Sequence, residues 1–175
     1  MMIRICLAGL SGSGKTTLGE MLAKELNIDH IQKSYKDVTA NEKELLSMQK
    51  SVARSYEKDF DKQVIDMAKG KNCVISTWLC AWFIKDATLR VWLNASHKER
   101  ARRLMKLKQK GRTFIEDYLR EKDQGNLKRW QKVYGVDLKD HSIFDIELNT
   151  ENFTPQEMVS IISVIALERD KKKFA

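Results

Sequence analysis

Gly9-Leu10-Ser11-Gly12-Ser13-Gly14-Lys15-Thr16 decides the fold of this chain. It meets every fixed position of G-x-x-x-x-G-K-[ST]. Just before it, residues 3–8 form a short apolar run that reads as a buried strand. Just after it, Leu18, Met21, Leu22 and Leu26 recur at the spacing of a helix packed on a sheet, over residues 15–26. Strand, glycine loop and helix in unbroken succession let consecutive backbone N–H groups turn inward around a phosphate, with no Cβ in the way. The start of the helix adds a partial positive charge. The stretch therefore predicts a triphosphate site built from Gly9, Ser11, Gly12, Ser13, Gly14, Lys15, Thr16 and Thr17. Lys15 reaches the β- and γ-phosphates, and the Thr16 hydroxyl is placed to ligate Mg²⁺, so ATP and Mg²⁺ are the cofactors expected.

The rest of the chain alternates in the same way. Residues 28–32 read as a weak second strand. Asn41 with Glu44 suits a capping box. Leu45, Met48, Val52, Tyr56, Phe60, Val64 and Met67 then fall three or four apart and predict one long core-packed helix, or two in succession, stopped at Gly70. Cys73-Val74-Ile75 reads as a strand buried on both faces, and Leu89, Val91 and Leu93 mark a fourth strand. A basic helical segment covers residues 97–132 with a break at Gly111, a fifth strand is expected over 143–148, and Thr154-Pro155-Gln156-Glu157 starts a last helix. Alternating strands and helices predict an α/β fold, a three-layer α/β/α arrangement around a five-stranded parallel sheet with right-handed crossovers.

Composition narrows the classes. With 175 residues, 42% hydrophobic and 32% charged, the chain suits one globular domain, and its single Pro and lack of low-complexity sequence leave no linker to divide it. Cys6, Cys73 and Cys80 are odd in number and read as buried small hydrophobes in a reducing compartment, not a disulfide or metal framework. The apolar stretch before the glycine loop is too short for a signal peptide or a membrane span, so a cytoplasmic location is expected. The net charge of +8 is local: residues 98–132 carry 13 Lys/Arg and 5 Asp/Glu, and the remainder is balanced at 19 against 19. An excess confined to one helical segment suits a bound triphosphate at least as well as a duplex, and part of it is a solvated helix face. Small-molecule nucleotides are the expected partners; nucleic acid and membrane are not.

The glycine loop is shared by several enzyme classes. A GTPase needs an Asn/Thr-Lys-x-Asp segment, which is absent. A motor ATPase usually ends a strand in an acidic residue for a second magnesium contact, whereas the third strand here runs Val74-Ile75-Ser76-Thr77. A short chain with a basic segment after the fourth strand favours a small kinase with a mobile lid. The alternatives are a switch or assembly ATPase with no acceptor and a nucleic-acid-associated NTPase, and within the kinases an acceptor such as AMP, UMP or a non-nucleotide.

Further residues carry a resemblance. Leu79 and Trp82 after the third strand, Asp86-Ala87 before the fourth, and Arg100 with Arg103 on the next helix belong to it. So do Lys128-Arg129-Trp130, Tyr134-Gly135-Val136-Asp137, Asp140-His141-Ser142-Ile143-Phe144-Asp145 and Asn149-Thr150. On these the chain resembles the archaeal-type cytidylate kinases, within the nucleoside monophosphate kinase family, over nearly its whole length. The resemblance implies ATP-dependent phosphoryl transfer to a nucleoside monophosphate, CMP or dCMP first. It also implies a core of residues 1–33, 69–105 and 124–175, a helical acceptor-binding insertion at 34–68 and a lid at 106–123. Arg103 corresponds to a family arginine that contacts ATP near its base or phosphates. Arg112, Arg120, Lys122 and Arg129 would collapse onto the γ-phosphoryl group, whose charge is spread over three oxygens. Lys15, Arg103, Arg120 and Arg129 are the catalytic residues so implied.

The sequence departs from that pattern at the acceptor site. Gln32-Lys33-Ser34-Tyr35-Lys36-Asp37 stands where relatives carry Ser-x-Gly and then an Arg, and Trp78 stands where they carry an Arg. Lys33, Lys36 or Arg54 could replace the missing charge. Trp78 could stack on a base or simply pack beneath the insertion. Lys33, Lys36 and Trp78 are accordingly the acceptor-binding residues expected, and Asp59 and Asp61 are acids near them.

Overall fold

Strands β1 (Arg4–Gly9), β2 (Asp29–Ile31), β3 (Cys73–Ile75), β4 (Leu89–Asn94) and β5 (Ile146–Asn149) form one parallel sheet in the order β2-β3-β1-β4-β5. The computed structural model describes residues 2–33 and 54–172, the side chains of 54–57 and Lys172 excepted. The helices are α1 (Lys15–Leu26), α2 (Arg54–Ala68), α3 (Cys80–Phe83), α4 (His97–Lys108), α5 (Arg112–Tyr134) and α6 (Pro155–Lys172). The α/β sandwich with a five-stranded parallel sheet is as expected.

Successive strand side chains point to opposite faces, and both faces of the sheet's centre are covered, so β3 and the middle of β1 and β4 are apolar on both sides while the edge strands β2 and β5 keep polar residues. Ile5, Leu7, Val74, Leu89, Val91 and Leu93 pack against Leu18 and Leu22 of α1 and Ile162 and Ala166 of α6. Cys6, Ala8, Ile75 and Trp92 face the other way, onto Phe60, Val64 and Ala68 of α2 and Cys80 and Ala81 of α3. All three cysteines are free and buried in these layers. The last helix opens on the expected box: the Thr154 hydroxyl accepts from the Glu157 amide at 3.3 Å, and the Glu157 carboxylate accepts from the Thr154 amide at 2.7 Å.

Two local expectations are corrected and one element is added. The fifth strand starts at Ile146 rather than at residue 143, because Phe144 N–H closes a turn on His141 O at 3.0 Å and Ile143 and Phe144 pack sideways onto the core below Trp92. Met67 is 44% exposed, and the buried stripe of α2 runs Phe60, Val64, Ala68. The short α3 gave no sequence signal. Its C-terminus is held by Arg90 of β4, which donates to the carbonyls of Ala81, Ile84 and Lys85 at 3.0 Å each. The Asn41–Glu44 box, and Leu45, Met48 and Val52 of the long stripe, lie outside the described residues. No helix among the described residues is long and apolar enough to cross a membrane.

Candidate active site

β1 runs between β3 on one side and β4 on the other, so the chain leaves it at the point where the strand order reverses. A crevice opens there, beyond the carboxyl ends of the strands. The glycine loop fills the edge of that crevice, and only glycine fits two of its turns. At Gly9 (φ 149°) a Cβ would lie 2.5 Å from Leu93 O; at Gly12 (φ 81°) it would lie 2.9 Å from Arg100 O. The loop is thus pressed flat against β4 and α4. Helix α1 then begins at Gly14 with no side-chain cap, whereas α4 and α6 are capped by Ser96 and Thr154. Its first-turn amides are left to a ligand, and an anion is what they suit.

Lys15 lies in the first turn of α1. Its ammonium donates to Gly9 O at 2.8 Å and Leu10 O at 3.0 Å, and sits 5.2 Å from the centroid of the Trp78 ring. Burial, and then the charge of Lys122, lower its pKa to about 7. A triphosphate needs the charged form, so ATP binding above pH 7 must draw in a proton. We expect proton uptake on ATP binding to grow between pH 6 and pH 8.5. Apparent affinity should fall by about tenfold per pH unit once well above pH 7. Calorimetry in buffers of different ionisation enthalpy reads the uptake directly, and uptake that stays at zero across this range would refute the expectation. The same shift makes folding costlier below pH 7. That cost fades as pH rises from about 7 toward the ordinary lysine value.

Two arginines of α4 brace the loop. Arg103 donates to Gly12 O and Ser13 O at 3.4 Å, and to Thr150 Oγ1 and O at 2.8 and 2.7 Å, while its Nε reaches Glu99 at 2.8 Å. The Asn149-Thr150 end of β5 is therefore a clasp for Arg103. Hydrogen bonds from Arg102 and Arg103 hold the Glu99 carboxyl down to about 2. Arg100 is buried; it donates to Ser11 O at 3.1 Å and pairs with Asp123 of α5 at 2.8 Å. Arg100 thus ties the phosphate loop, by a hydrogen bond, to α5, by an ion pair.

A cavity of about 460 Å³ opens from the loop. Ser11, Gly12, Gly14, Lys15, Thr16, Thr17 and Arg103 line its donor side; Gln32, Lys33, Phe60, Asp61 and Trp78 line the far side; Leu107, Lys108, Tyr118, Lys122 and Asn126 form the wall between α4 and α5. Lys33 is tied to Gln63 and lies 5.5 Å from the Phe60 ring. Lys36 and the side chain of Arg54 lie outside the described residues. Arg112 and Arg120 are about two-thirds exposed, pair with Glu116 and Asp117 on their own helix, and do not line the cavity. Arg129 stands behind it, donating to Asn126 at 2.8 Å with its guanidinium 5.7 Å from the Trp130 ring. Asp59 is exposed. Sequence reasoning passed over Tyr118 and Asn126, whose inward positions on α5 have no motif to mark them. Tyr134 and Asp61 are both singled out by the sequence, but the hydrogen bond that Tyr134 donates to Asp61 joins residues 73 apart and could not be read from it. No cluster of metal-ligating side chains occurs among the described residues. One threonine hydroxyl beside a phosphate cradle nevertheless suits magnesium, which keeps most of its shell as water and phosphate oxygen.

Comparison with known proteins gives a consistent picture. A model of the cytidylate kinase-like family matches residues 46–152. A model of the ATPase family associated with various cellular activities matches residues 5–76, the part that contains the phosphate loop. A cytidylate kinase of Sulfurisphaera tokodaii is 33% identical over 165 residues, 90% of this chain and 92% of that protein. One from Thermococcus kodakarensis is 34% identical over 90% of this chain and 84% of its own. Among solved structures, shikimate kinase from Acinetobacter baumannii in complex with shikimate superposes with a TM-score of 0.64 at 18% identity, over 96% of this chain and 94% of the other; this likeness concerns the fold.

Proposed function

The chain belongs to the cytidylate kinase-like family, and from that premise we propose that it transfers the γ-phosphoryl group of ATP to a nucleoside monophosphate, CMP or dCMP. The observation that carries this reading is the complete phosphate loop opening onto a cavity that α2 and the segments after β2 and β3 also line, where an acceptor would be brought up to the donor. Relatives named cytidylate kinase support the choice of acceptor.

In this reading the loop amides and the start of α1 hold the β-phosphate. Lys15 leaves the Gly9 and Leu10 carbonyls for the β- and γ-phosphates, and Arg103 flanks the nucleotide from its Thr150 clasp. Thr16 would hold Mg²⁺, which when bound neutralises phosphate charge. Phosphoryl transfer needs little covalent help, so positioning and charge neutralisation in a water-poor site carry it. Residues 106–123 act as the lid and 34–68 as the acceptor-binding insertion, on a core of 1–33, 69–105 and 124–175. Arg129 acts through Asn126 and Trp130, and Arg120 joins the site only as α5 swings inward. Lys33, Lys36 and Trp78 belong to the acceptor side. The partners are small nucleotides, not nucleic acid or membrane: Arg100, Arg102, Arg103, Arg112 and Arg120 spend their charge on acids of α4 and α5. Three buried free thiols suit a cytoplasmic setting.

A coupled assay with Mg-ATP and a panel of CMP, dCMP, UMP and AMP tests the proposal. CMP or dCMP should give the highest kcat/KM. Turnover of none of them, with slow ATP hydrolysis alone, would put an acceptor-free ATPase in its place.

A further inference from the structure

The Trp78 ring is engaged from two sides of the site. The Lys15 ammonium lies 5.2 Å from its centroid and the Lys122 ammonium 5.6 Å, while Trp130 meets it edge-on at 4.9 Å. Lys122 also lies 5.3 Å from the Tyr118 ring and donates to its hydroxyl at 3.1 Å. We propose that Trp78 and Tyr118 form an aromatic seat for Lys122, that this ammonium takes hold of the acceptor's phosphate, and that Trp78 is therefore a positioning residue for acceptor binding.

This rests on the nucleoside monophosphate reading above. Two anions must approach each other in line, and a cation between them has to offset their repulsion. Lys15 belongs to the donor, since its stem rises from the first turn of α1 beside the phosphate loop. Lys33, on the far side, is already tied to Gln63 and Phe60, and Asp61 there brings negative charge. Lys122 comes from another helix, α5, and reaches the same ring as Lys15, at the junction of the two halves.

The chemistry of the seat suits a cation that must change partners. A carboxylate beside Lys122 would neutralise it and compete with the incoming phosphate. An aromatic face holds an ammonium by its quadrupole and carries no net charge, so the cation is placed in advance and still available. Two ammoniums on one ring also repel each other. Lys122 is the largest charge lowering the Lys15 pKa, and the arrival of phosphates relieves both.

Steady-state kinetics with ATP and CMP test this, using Lys122→Met, Lys122→Gln, Trp78→Leu, Trp78→Phe and the double variant Lys122→Met/Trp78→Arg. Both Lys122 variants should raise KM for CMP about tenfold or more while KM for ATP stays within about twofold. Trp78→Leu should move KM for CMP the same way by a smaller factor, and Trp78→Phe, which keeps an aromatic face, should restore most of it. In the double variant a guanidinium from position 78 should recover a large part of the loss. Equal changes in both KM values, or a loss in kcat alone, would overturn the inference, as would a double variant no better than Lys122→Met. If wild type phosphorylates CMP and Lys122→Met leaves its KM unchanged, this inference falls and the proposed function stands. If wild type is inert toward every monophosphate, both fall.

Discussion

Lys15→Met is expected to remove turnover, by at least about 10²–10³-fold, and to leave a protein that melts no lower than wild type. The first half follows from where the charge acts. A single preorganised donor aimed at developing charge in a water-poor site is worth about that factor, and Lys15 is the residue of α1 whose ammonium lies against the loop. The second half follows from its surroundings: that ammonium is buried on two carbonyls and one ring, and its pKa is pulled down to about 7. Methionine keeps the length of the side chain and ends the desolvation cost. A coupled assay beside a thermal melt checks both halves. Near-normal turnover would place the active site elsewhere, and a melt several degrees lower would mean that Lys15 supports the fold.

The second large effect is on stability. Asp123→Ala should lower Tm by about 10 °C. Arg100 and Asp123 are 5% and 13% exposed, so removing the carboxylate leaves a buried guanidinium without its ion-pair partner. Breaking such a pair from one side costs about 3–5 kcal/mol, and in a domain of this size 1 kcal/mol is about 2–4 °C. Because Arg100 also holds Ser11 O, the loss should reach the phosphate loop and raise KM for ATP. Replacing both partners together, Arg100→Met with Asp123→Leu, should return much of the melting temperature without the ATP affinity. Calorimetry and kinetics on the three proteins decide it; a shift under 1 °C for Asp123→Ala would mean the pair is effectively solvated.

What could be read from the sequence followed how local each feature is. The phosphate loop is written in eight adjacent residues, and α1 ends at Leu26 as its apolar spacing requires. The break between α4 and α5 falls at Gly111, as expected from one residue. Features decided by distant partners were not legible. β5 starts late because residues 143 and 144 answer to Trp92, fifty residues earlier. α3 exists because Arg90 of β4 gathers its terminal carbonyls. The basic segment announced a polyanion site but not which of its members face it. Position on the helix decides that: Lys122 lines the cavity while Arg120, two residues earlier, points to solvent. Trp78 was seen as a base platform or a packing residue, and the two ammoniums on its ring come from different helices, α1 and α5.

The placing of β1 has a consequence for how the protein is made. This strand leaves the ribosome well before both of its neighbours, β3 and β4, and Gly9 is walled by Leu93, more than eighty residues downstream. Arg103 is not clasped until Thr150 has been added. At about 5–20 residues per second, synthesis from Gly9 to Thr150 takes on the order of ten seconds. For most of that interval the growing chain carries every residue of its nucleotide loop without Leu93 or Arg100 behind it, and to the end of it without the Thr150 clasp. ATP therefore cannot steady the early nascent chain. It can act only as a late ligand, which closes folding after the sheet is complete and leaves the unfinished central strand to be shielded by other means.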